Sequence, residues 1–352
     1  MKIRWIPIEL DTRLPFVTAH GGSSRFRNVL VEIEHDGVVG LGEAAPARYH
    51  GETAETVLAA LATLAPAAEA VGDPARLEAL HAAMEAALAD HRAAKAAIDI
   101  ACHDWLAQRA GMPLGRLLGL DLETAPATSY TVPIVSPAAV REAVAAGNAF
   151  RVLKVKMGDG DDRARLRQVR EATAKPLRVD ANGGWTPDEA IRRFPELEDA
   201  GVELVEQPVA ASDLAGLRRV HRAARLPVVA DEPALTALDI PRLAGAVDGV
   251  NIKLAKAGGI RPALEMIHAA RAHGLRVMLG CMVETSIGIA AAAHLASLAD
   301  WVDLDGHLLL ARDPARGLLL EDGQVRPSRA PGLGVELVAP VASHMVGAGN
   351  RG

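Results

Sequence analysis

The segment PLRVDANGGWTPDEAIRRFPELEDAGVELVEQP (176–208) contains the pattern from which the fold of this 352-residue chain follows. Its first run, PLRVD, and its last, VELVE, have the length and the composition of buried strands. Between them, Thr186 and Pro187 mark the start of a helix, because Thr caps a first turn well and Pro fits the first helical position. A strand, a helix and a second strand in this order form a unit whose two strands run parallel.

The same alternation extends from residue 128 to residue 307, with eight strand-like segments and seven helical ones. It predicts fold class α/β and a modified TIM barrel of the (β/α)7β type, because eight such repeats close on themselves. An open, doubly wound sheet is the alternative. Such a sheet normally has a Gly-rich phosphate turn after its first strand, and TVPIVSP (131–137) has none. The strand-like segments are SYTVPIV (129–135), FRVLKVKMG (150–158), PLRVDANGG (176–184), VELVEQP (202–208), LPVVADEP (226–233), GVNIKLAK (249–256), LRVMLGC (275–281) and WVDLDGH (301–307).

The regions that flank the barrel predict a second, α+β domain. Residues 1–45 contain strand-like runs, with Asp36-Gly37 as a hairpin turn, and residues 52–110 are Ala-rich with helical periodicity. We expect residues 1–120 to form this domain, completed by the C-terminal segment 316–352, and residues 121–315 to form the barrel.

Composition argues against several kinds of partner and location. The net charge is −6 and no basic block occurs, which predicts no nucleic-acid binding. Cys102 and Cys281 are too few and too far apart for a disulfide framework, as is typical of a reducing cytoplasm. The N-terminus MKIRWIPIEL lacks the apolar run of a signal peptide, and the most apolar helical stretch, 286–299, is shorter than the ~20 residues of a membrane span. We therefore predict a cytoplasmic protein without a membrane partner, and leave open whether it is a homo-oligomer.

Three successive predicted strands end in a carboxylate: Asp180, Glu206 and Asp231. A single Asp at a strand end is usually a turn former. In a barrel, however, the carboxyl ends of the strands form the active face, so these three acids converge and repel one another. A hard divalent cation would neutralise them. Oxygen ligands without His or Cys favour Mg²⁺ over zinc, and Mg²⁺ keeps positions open for substrate oxygens.

Lysines occupy strands on opposite sides of the same predicted barrel. Lys154 and Lys156 lie on the second strand and Lys253 on the sixth. An ammonium group beside a divalent cation and another ammonium group has a lowered pKa, so it can act as a general base. Lys156 is nearer the strand end, which favours it over Lys154 as the base; Lys256, in the following loop, is the weaker candidate. A Lys base with Mg²⁺ suits removal of a proton next to a carboxylate, which gives an enediolate.

Taken together, the motifs resemble the muconate-lactonising branch of the enolase superfamily, and most of all the dipeptide epimerases of the L-Ala-D/L-Glu epimerase family. The resemblance extends over nearly the whole chain. The motifs that carry it are GLGEA (40–44), KVKMG (154–158), DANGGW (180–185), VEQP (205–208), ADE (230–232), NIKLAKAGG (251–259), GCMVETSIG (280–288) and DLDG (303–306).

The resemblance implies an enolase-like capping domain over the barrel, and a Mg²⁺-dependent isomerase that acts on a small dipeptide. Its reaction would be epimerisation at the α-carbon of the C-terminal residue, by 1,1-proton transfer between two Lys bases. The implied residues fall into three groups: Asp180, Glu206 and Asp231 for Mg²⁺; Lys156 and Lys253 for the two faces of the α-carbon; and Thr131, Lys154, Cys281, Asp303 and Asp305 for the substrate. Within the last group, Asp303 and Asp305 would hold the free α-ammonium.

One position departs from the family pattern. Members specific for Ala-Glu typically have an Arg in the loop after the first strand, where this chain has Gly21 in TAHGGSSRFR (18–27). Arg25 or Arg27 could replace it, because a guanidinium suits a side-chain carboxylate. The identity of the second substrate residue and the metabolic pathway are therefore left open.

Two other functions are considered. A muconate cycloisomerase or an o-succinylbenzoate synthase of the same branch would use the same lysines and metal ligands, but gives no role to a pair of acids for a substrate cation. A non-catalytic, metal-dependent binding protein would gain little from two lysines buried near a cation.

Overall fold

A computed structural model of the chain describes residues 1–338 and 346–347. The described residues form an antiparallel sheet covered by helices and a separate eight-stranded parallel sheet. Of the predicted C-terminal segment 316–352, residues 339–345 and 348–352 lie outside the described residues.

The N-terminal sheet is built from β1 (Lys2–Thr18), β2 (Gly21–His35) and β3 (Val38–Ala44). Asp36 and Gly37 have φ of 49° and 74° in the turn between β2 and β3, which confirms the predicted hairpin. The first two strands are long because β1 and β2 remain paired from Lys2–Glu34 as far as Thr18–Gly21. Their register shifts between Asp11 and Phe16, a β-bulge that increases the local twist.

Three long helices cover one face of this sheet: α1 (Ala54–Val71), α2 (Leu77–Ala87) and α3 (Arg92–Arg109). By length and composition α1 could cross a membrane, but core helices of soluble proteins often have the same properties. Its apolar stripe, which includes Val57, Leu61 and Leu64, packs in the core between the sheet and the helices. A short helix, α4 (Leu114–Leu117), follows.

The parallel sheet contains eight strands in the order in which they occur along the chain. They are β4 (Ser129–Val132), β5 (Val152–Lys156), β6 (Leu177–Asp180), β7 (Val202–Glu206), β8 (Val228–Ala230), β9 (Gly249–Lys253), β10 (Arg276–Gly280) and β11 (Trp301–Asp303). A parallel bridge between Thr128 and Val302 joins the two ends of the sheet. The sheet is thus a barrel, which confirms the predicted (β/α)7β architecture and rules out the open-sheet alternative.

Each connection between neighbouring barrel strands contains a helix, as predicted. The helices are α5 (Val140–Ala146), α6 (Asp162–Ala172), α7 (Pro187–Asp199), α8 (Leu214–Ala223), α9 (Ile240–Leu243), α10 (Leu254–Ala257), α11 (Ile260–Ala272) and α12 (Ser286–Ala293). At the start of α7, Thr186 and Glu189 form a capping box with Pro187 in the first turn, which confirms the predicted start. The helix predicted over 286–299 is shorter in the structure, where α12 ends at Ala293.

After the barrel the chain forms the short strands β12 (Ala315–Arg316), β13 (Leu318–Glu321), β14 (Gln324–Pro327), β15 (Glu336–Leu337) and β16 (Val346–Gly347). The backbone of β16 pairs with β1, so the end of the described chain joins the N-terminal sheet. Gly332 exchanges backbone hydrogen bonds with Met112 and Leu114, which ties this region to the end of the helical layer.

Close packing of β3 on α3 depends on Gly42. A Cβ atom at this position would lie 1.9 Å from the carbonyl oxygen of Ala97, in the backbone of α3. We predict that Gly42→Ala lowers the free energy of unfolding by about 2 kcal/mol or more, since overpacking forces the sheet and helix apart. Val39→Ala, at a half-exposed position on the same strand, should change it by less than about 0.5 kcal/mol in urea titrations. Equal losses in the two variants would contradict this packing argument.

Candidate active site at the mouth of the barrel

A cavity of about 400 Å³ lies between the carboxyl ends of the barrel strands and the N-terminal sheet. Of the ten site residues predicted from the sequence, eight line it: Thr131, Lys154, Lys156, Asp231, Lys253, Cys281, Asp303 and Asp305. The other two, Asp180 and Glu206, have no exposed surface and interact with the ammonium group of Lys154. The structure therefore brings all ten predicted residues into one region.

The register of the barrel strands explains why these side chains meet. Lys156 pairs in register with Asp180, and Asp180 pairs with Glu206, so the three residues lie at one level of the barrel. Across the barrel, Lys253 and Asp303 share a level because both pair with Gly280. Strands β5 and β9 are four positions apart in an eight-stranded barrel, so Lys156 and Lys253 approach the cavity from opposite sides.

One charged cluster is centred on Lys154. Its Nζ atom lies 3.1 Å from Asp180, 2.7 Å from Glu206 and 2.7 Å from Asp303. Lys156 donates a hydrogen bond of 2.6 Å to the same Asp180 oxygen. Asp180 thus receives two ammonium groups, and Lys154 connects three strand ends.

A second cluster surrounds Asp231 on the other side of the cavity. Lys253 donates to one of its carboxylate oxygens at 2.8 Å, and Lys256 donates to the other and to the backbone carbonyl. Lys256, the weaker candidate in the sequence, is thereby a close partner of a predicted metal ligand. Asn251 donates a 2.8 Å hydrogen bond to Glu206, which links the two clusters.

The pKa values of the lysines follow their carboxylate partners. Burial lowers the pKa of Lys253, but attraction to Asp231 and Glu206 outweighs it, so this pKa is raised; that of Lys154 is raised for the same reason by Asp303, Glu206 and Asp180. For Lys253, the charges of the protein therefore do not produce the lowered pKa that we expected of a lysine base. The pKa of Lys256, in contrast, is lowered, because burial outweighs the attraction to Asp231.

The carboxylates at the strand ends exceed the ammonium groups in number. Six acids, which are Asp180, Glu206, Asp231, Glu232, Asp303 and Asp305, face the four lysines 154, 156, 253 and 256. The acids at the strand ends therefore compete for too few ammonium groups. The effect is largest at Glu206, whose pKa is raised by burial and by Asp180, and at Asp305, whose pKa is raised by burial and by Asp303.

The donor set fits a divalent cation. The buried oxygens Oδ1 of Asn182, Oε2 of Glu232 and Oδ1 of Asn251 have no hydrogen-bond donor, and Oε2 of Glu206 has Lys154 nearby without hydrogen-bond geometry. In the described part of the chain no three His, Cys, Asp or Glu side chains are arranged to hold an ion, because ammonium groups lie between the acids. Oxygen ligands, more carboxylates than ammonium groups, and unsatisfied acceptors together suit Mg²⁺.

The acids at the end of β11 have different environments. Asp303 accepts hydrogen bonds from Lys154 and from Ser129, at 2.7 and 2.6 Å, so its charge is already neutralised. Asp305 accepts a 2.6 Å hydrogen bond from the backbone N–H of Thr131 and has no ion pair in the described residues. Cys281 donates from Sγ to the carbonyl of Asp303, at 3.3 Å. Of the two acids, Asp305 is therefore the one available to a cation in the cavity.

The tip of the β1–β2 hairpin covers one side of the cavity. The ring of Phe16 lies 5.7 Å from Nζ of Lys156, and His20 lies 3.7 Å from Glu232. Gly21, which stands where Ala-Glu-specific members have an Arg, lines the cavity, as expected of a position that contacts the substrate. The resemblance had implied that the loop around Gly21 approaches the substrate, but no sequence pattern indicated the contacts of Phe16 with Lys156 and of His20 with Glu232.

Neither arginine proposed to replace the missing one lines the cavity. Arg25 pairs with Asp11 and Glu9, and Arg27 pairs with Glu55, at exposed positions. The guanidinium that does line the cavity is that of Arg48, 5.8 Å from the ring centroid of Phe26 and without an ion pair in the described residues. Sequence reasoning missed Arg48, because it lies in a short turn with no motif around it.

Comparison with known proteins gives consistent matches over both parts of the chain. Residues 3–119 match a family model described as the mandelate racemase / muconate lactonizing enzyme N-terminal domain, and residues 137–341 match one described as enolase C-terminal domain-like.

Two relatives illustrate the sequence similarity. The chain is 37% identical over 337 residues to an L-Ala-D/L-Glu epimerase of Bacteroides thetaiotaomicron, which covers 95% of this chain and 88% of that protein. It is 39% identical over 348 residues to a hydrophobic dipeptide epimerase of a Flavobacteria bacterium, which covers 96% and 98% of the two chains.

A solved structure gives the same result at the level of the fold. The dipeptide epimerase of Cytophaga hutchinsonii, complexed with Mg and the dipeptide D-Ala-L-Val, superposes with a TM-score of 0.92 at 29% identity. The match covers 99% of this chain and 98% of the other.

Proposed function

Because the chain belongs to the mandelate racemase / muconate lactonizing enzyme family of the enolase superfamily, we propose that it is a Mg²⁺-dependent dipeptide epimerase, an isomerase. The dipeptide epimerases among its relatives support this activity. The observation that carries the proposal is that Lys156 and Lys253 reach one cavity from opposite sides of the barrel. That arrangement suits removal of a proton from one face of a carbon and its return to the other.

We infer a catalytic barrel of residues 121–315 and a capping domain of residues 1–120 completed by segment 316–352. The pairing of β16 with β1 supports the assignment of the C-terminal end. A cytoplasmic location is supported by Cys102 and Cys281, neither of which is in a disulfide.

In this proposal Lys156 and Lys253 act as the two bases. The neutral amine of one lysine takes the α-proton of the C-terminal residue, and the substrate passes through its enediolate form. The ammonium group of the other lysine then gives a proton to the opposite face. In the reverse direction the two lysines exchange roles, as a 1,1-proton transfer requires.

Asp180, Glu206 and Asp231 would hold Mg²⁺. When bound, Mg²⁺ would supply positive charge beside the substrate carboxylate and thereby favour loss of the neighbouring proton. Carboxylates that ligate a cation attract the nearby ammonium groups less, so bound Mg²⁺ would lower the pKa of Lys253 from the raised position that Asp231 and Glu206 give it. Lys154 would remain positively charged, because Asp303 is a further partner at 2.7 Å.

The free α-ammonium of the dipeptide would be bound at the end of β11. Asp305 is the stronger candidate because its charge has no counter-ion in the described residues, whereas Asp303 already pairs with Lys154. An uncompensated acid at this position also distinguishes the proposal from a muconate cycloisomerase or an o-succinylbenzoate synthase, for which the sequence suggested no cationic substrate group. A non-catalytic binding protein would not exchange the α-proton of a dipeptide with solvent, so a measurement of proton exchange distinguishes it from an epimerase.

The side chain of the second substrate residue would extend toward Arg48. The surrounding wall also contains Phe16, Phe26 and Leu309, so it offers one cationic and several apolar contacts. Gly21 occupies the position at which Ala-Glu-specific members have an Arg. Arg48 can take the place of that Arg and pair with an acidic side chain of the substrate.

We expect a panel of L,L-dipeptides incubated in D₂O with Mg²⁺ to include members that gain one deuterium, measured as a mass shift. Arg48→Ala should lower kcat/KM for L-Ala-L-Glu about 10-fold, as for loss of a partly exposed ion pair, and leave L-Ala-L-Leu nearly unchanged. Arg25→Ala, with its guanidinium outside the cavity, is the matched control and should alter neither. A panel without any exchange would refute the epimerase assignment.

Replacing each lysine separately tests whether Lys156 and Lys253 act on opposite faces of the α-carbon. Lys156→Ala should reduce epimerisation at least ~10²-fold, since a general base is lost. In D₂O this variant should still exchange the α-proton of only one stereoisomer of the substrate, and Lys253→Ala that of only the other. The control is Lys175→Ala, a lysine that binds the carbonyls of Gly147 and Asn148 away from the cavity. Exchange of both stereoisomers in either base variant is the result that the two-base proposal forbids.

Magnesium should stabilise the folded protein through the three acids. At about 100 times its dissociation constant, Mg²⁺ should raise the free energy of unfolding by about 2.7 kcal/mol, measured by urea denaturation at constant ionic strength. Asp180→Asn should lose most of this gain, while Asp188→Asn, at an exposed surface pair with Arg219, should keep it. EDTA should remove both the stabilisation and the activity. An undiminished gain in Asp180→Asn would contradict the assigned ligands.

A further inference from the structure

The loop between β10 and α12, residues 281–285, forms part of the wall of the cavity through Cys281, Met282 and Val283. It also contacts the segment that contains Asp303 and Asp305. The thiol of Cys281 donates to the carbonyl of Asp303, and a Cβ atom at Gly306 would lie 2.3 Å from the carbonyl oxygen of Met282. The position of this loop therefore fixes one boundary of the cavity and contacts the acids expected to bind the substrate ammonium.

Two polar residues of the N-terminal sheet hold this loop. Asn28, on β2, donates from Nδ2 to the carbonyl of Val283 at 2.9 Å and to Oε1 of Glu43 at 2.8 Å. Glu43, on β3, accepts from the backbone N–H of Thr285 at 3.0 Å, from its hydroxyl at 2.6 Å and from the N–H of Gly288 at 3.1 Å. These interactions connect the sheet to both the loop and the first turn of α12.

Burial makes these hydrogen bonds effective constraints. Asn28 is 2% exposed, Glu43 1% and Thr285 0%. Without water to replace a lost partner, a buried polar group left alone is costly, so each bond strongly favours one loop position. The strands of the N-terminal sheet thus determine where a wall of the barrel cavity lies.

We propose that Asn28 and Glu43 are positioning residues that hold loop 281–285 against the cavity and so set the geometry in which the dipeptide binds. The kinetic part of this proposal rests on the proposed function. The position of the loop does not, and can be measured without a substrate. Asn28 also lines the cavity, whereas Glu43 does not, and neither is one of the two proposed bases.

The loop contains its own probe, Cys281, and Cys102 is a fully buried internal reference. We expect iodoacetamide to alkylate Cys281 about 5-fold to 10-fold faster than in the unaltered protein in two variants. Asn28→Ala loses the bonds to Val283 and Glu43, and Thr285→Val loses the hydroxyl bond to Glu43 and the one accepted from the N–H of Ile287. Peptide mass spectrometry gives both rates. Asp313→Asn is the matched control, because Asp313 accepts from the N–H and the hydroxyl of Ser286 at the same helix start but does not bind residues 281–285.

Exchanging the donor and the acceptor between positions 28 and 43 tests whether these residues position the loop or only stabilise the fold. In the double variant Asn28→Asp/Glu43→Gln, the new amide at position 43 can donate to the new carboxylate at position 28, while the amide oxygen keeps the contacts with Thr285 and Gly288. The bond to Val283 is lost, and the carbonyl oxygen of Val283 then faces a carboxylate oxygen that repels it. We expect this variant to regain the thermal stability lost in Glu43→Gln while Cys281 remains rapidly alkylated. Slow alkylation in the double variant would overturn the proposal.

With the dipeptide that the enzyme epimerises, Asn28→Ala should raise KM about 10-fold and change kcat less than about 3-fold, as expected when binding geometry is lost and the bases are kept. A fall in kcat at constant KM, or alkylation as slow as in the unaltered protein, contradicts the proposal. If no dipeptide reacts, the proposed function fails, and the alkylation rates still decide whether Asn28 and Glu43 hold the loop. If Asn28→Ala does not fold, Thr285→Val alone provides both measurements.

Discussion

Buried carboxylates at the barrel mouth are compensated by ammonium groups, and the geometry of the site follows from this balance. Asp180 and Glu206 have no exposed surface, and isolated charges in such a place would be far too costly. Lys154 reaches both of them and Asp303 as well, so a single ammonium group is shared by carboxylates on three strands. The compensation is incomplete, and the remaining negative charge is what suits the site to a divalent cation and a cationic substrate group.

The barrel register turns this electrostatic requirement into a geometry. Because side chains on a strand alternate between two faces, a shift of one residue in β5 would turn Lys154 and Lys156 away from the mouth together. In the observed register Lys156, Asp180 and Glu206 share one level, and Gly280 leaves room between Lys253 and Asp303. A Cβ atom at Gly280 would lie 2.5 Å from the side chain of Asn251, which itself binds Glu206. Packing and charge therefore select the same register.

The N-terminal sheet completes the cavity from outside the barrel. The long β1–β2 hairpin brings Phe16 and His20 over the lysines and acids, and the turn after β3 brings Arg48. The barrel thus supplies the charged groups that suit proton transfer, whereas the sheet supplies the contacts that would distinguish one substrate side chain from another. Such a division allows specificity to change without disturbing the compensated charges, because the residues that differ lie on separate elements.

Local sequence patterns were sufficient to predict the barrel, the Asp36-Gly37 hairpin and the residue types at the strand ends, because strand and helix periodicity and turn chemistry act over short distances along the chain. They also placed Lys156 and Lys253 on opposite sides, since strand order in a barrel follows chain order. They did not reveal that Lys154 neutralises Asp303, that Arg25 and Arg27 face away from the cavity, or that Arg48 and Asn28 line it. Lys154 and Asp303 are 149 residues apart, and Asn28 and Val283 are 255 apart. Contacts of this kind arise only when the hairpin, the loops and the barrel pack together in three dimensions, which no local pattern encodes.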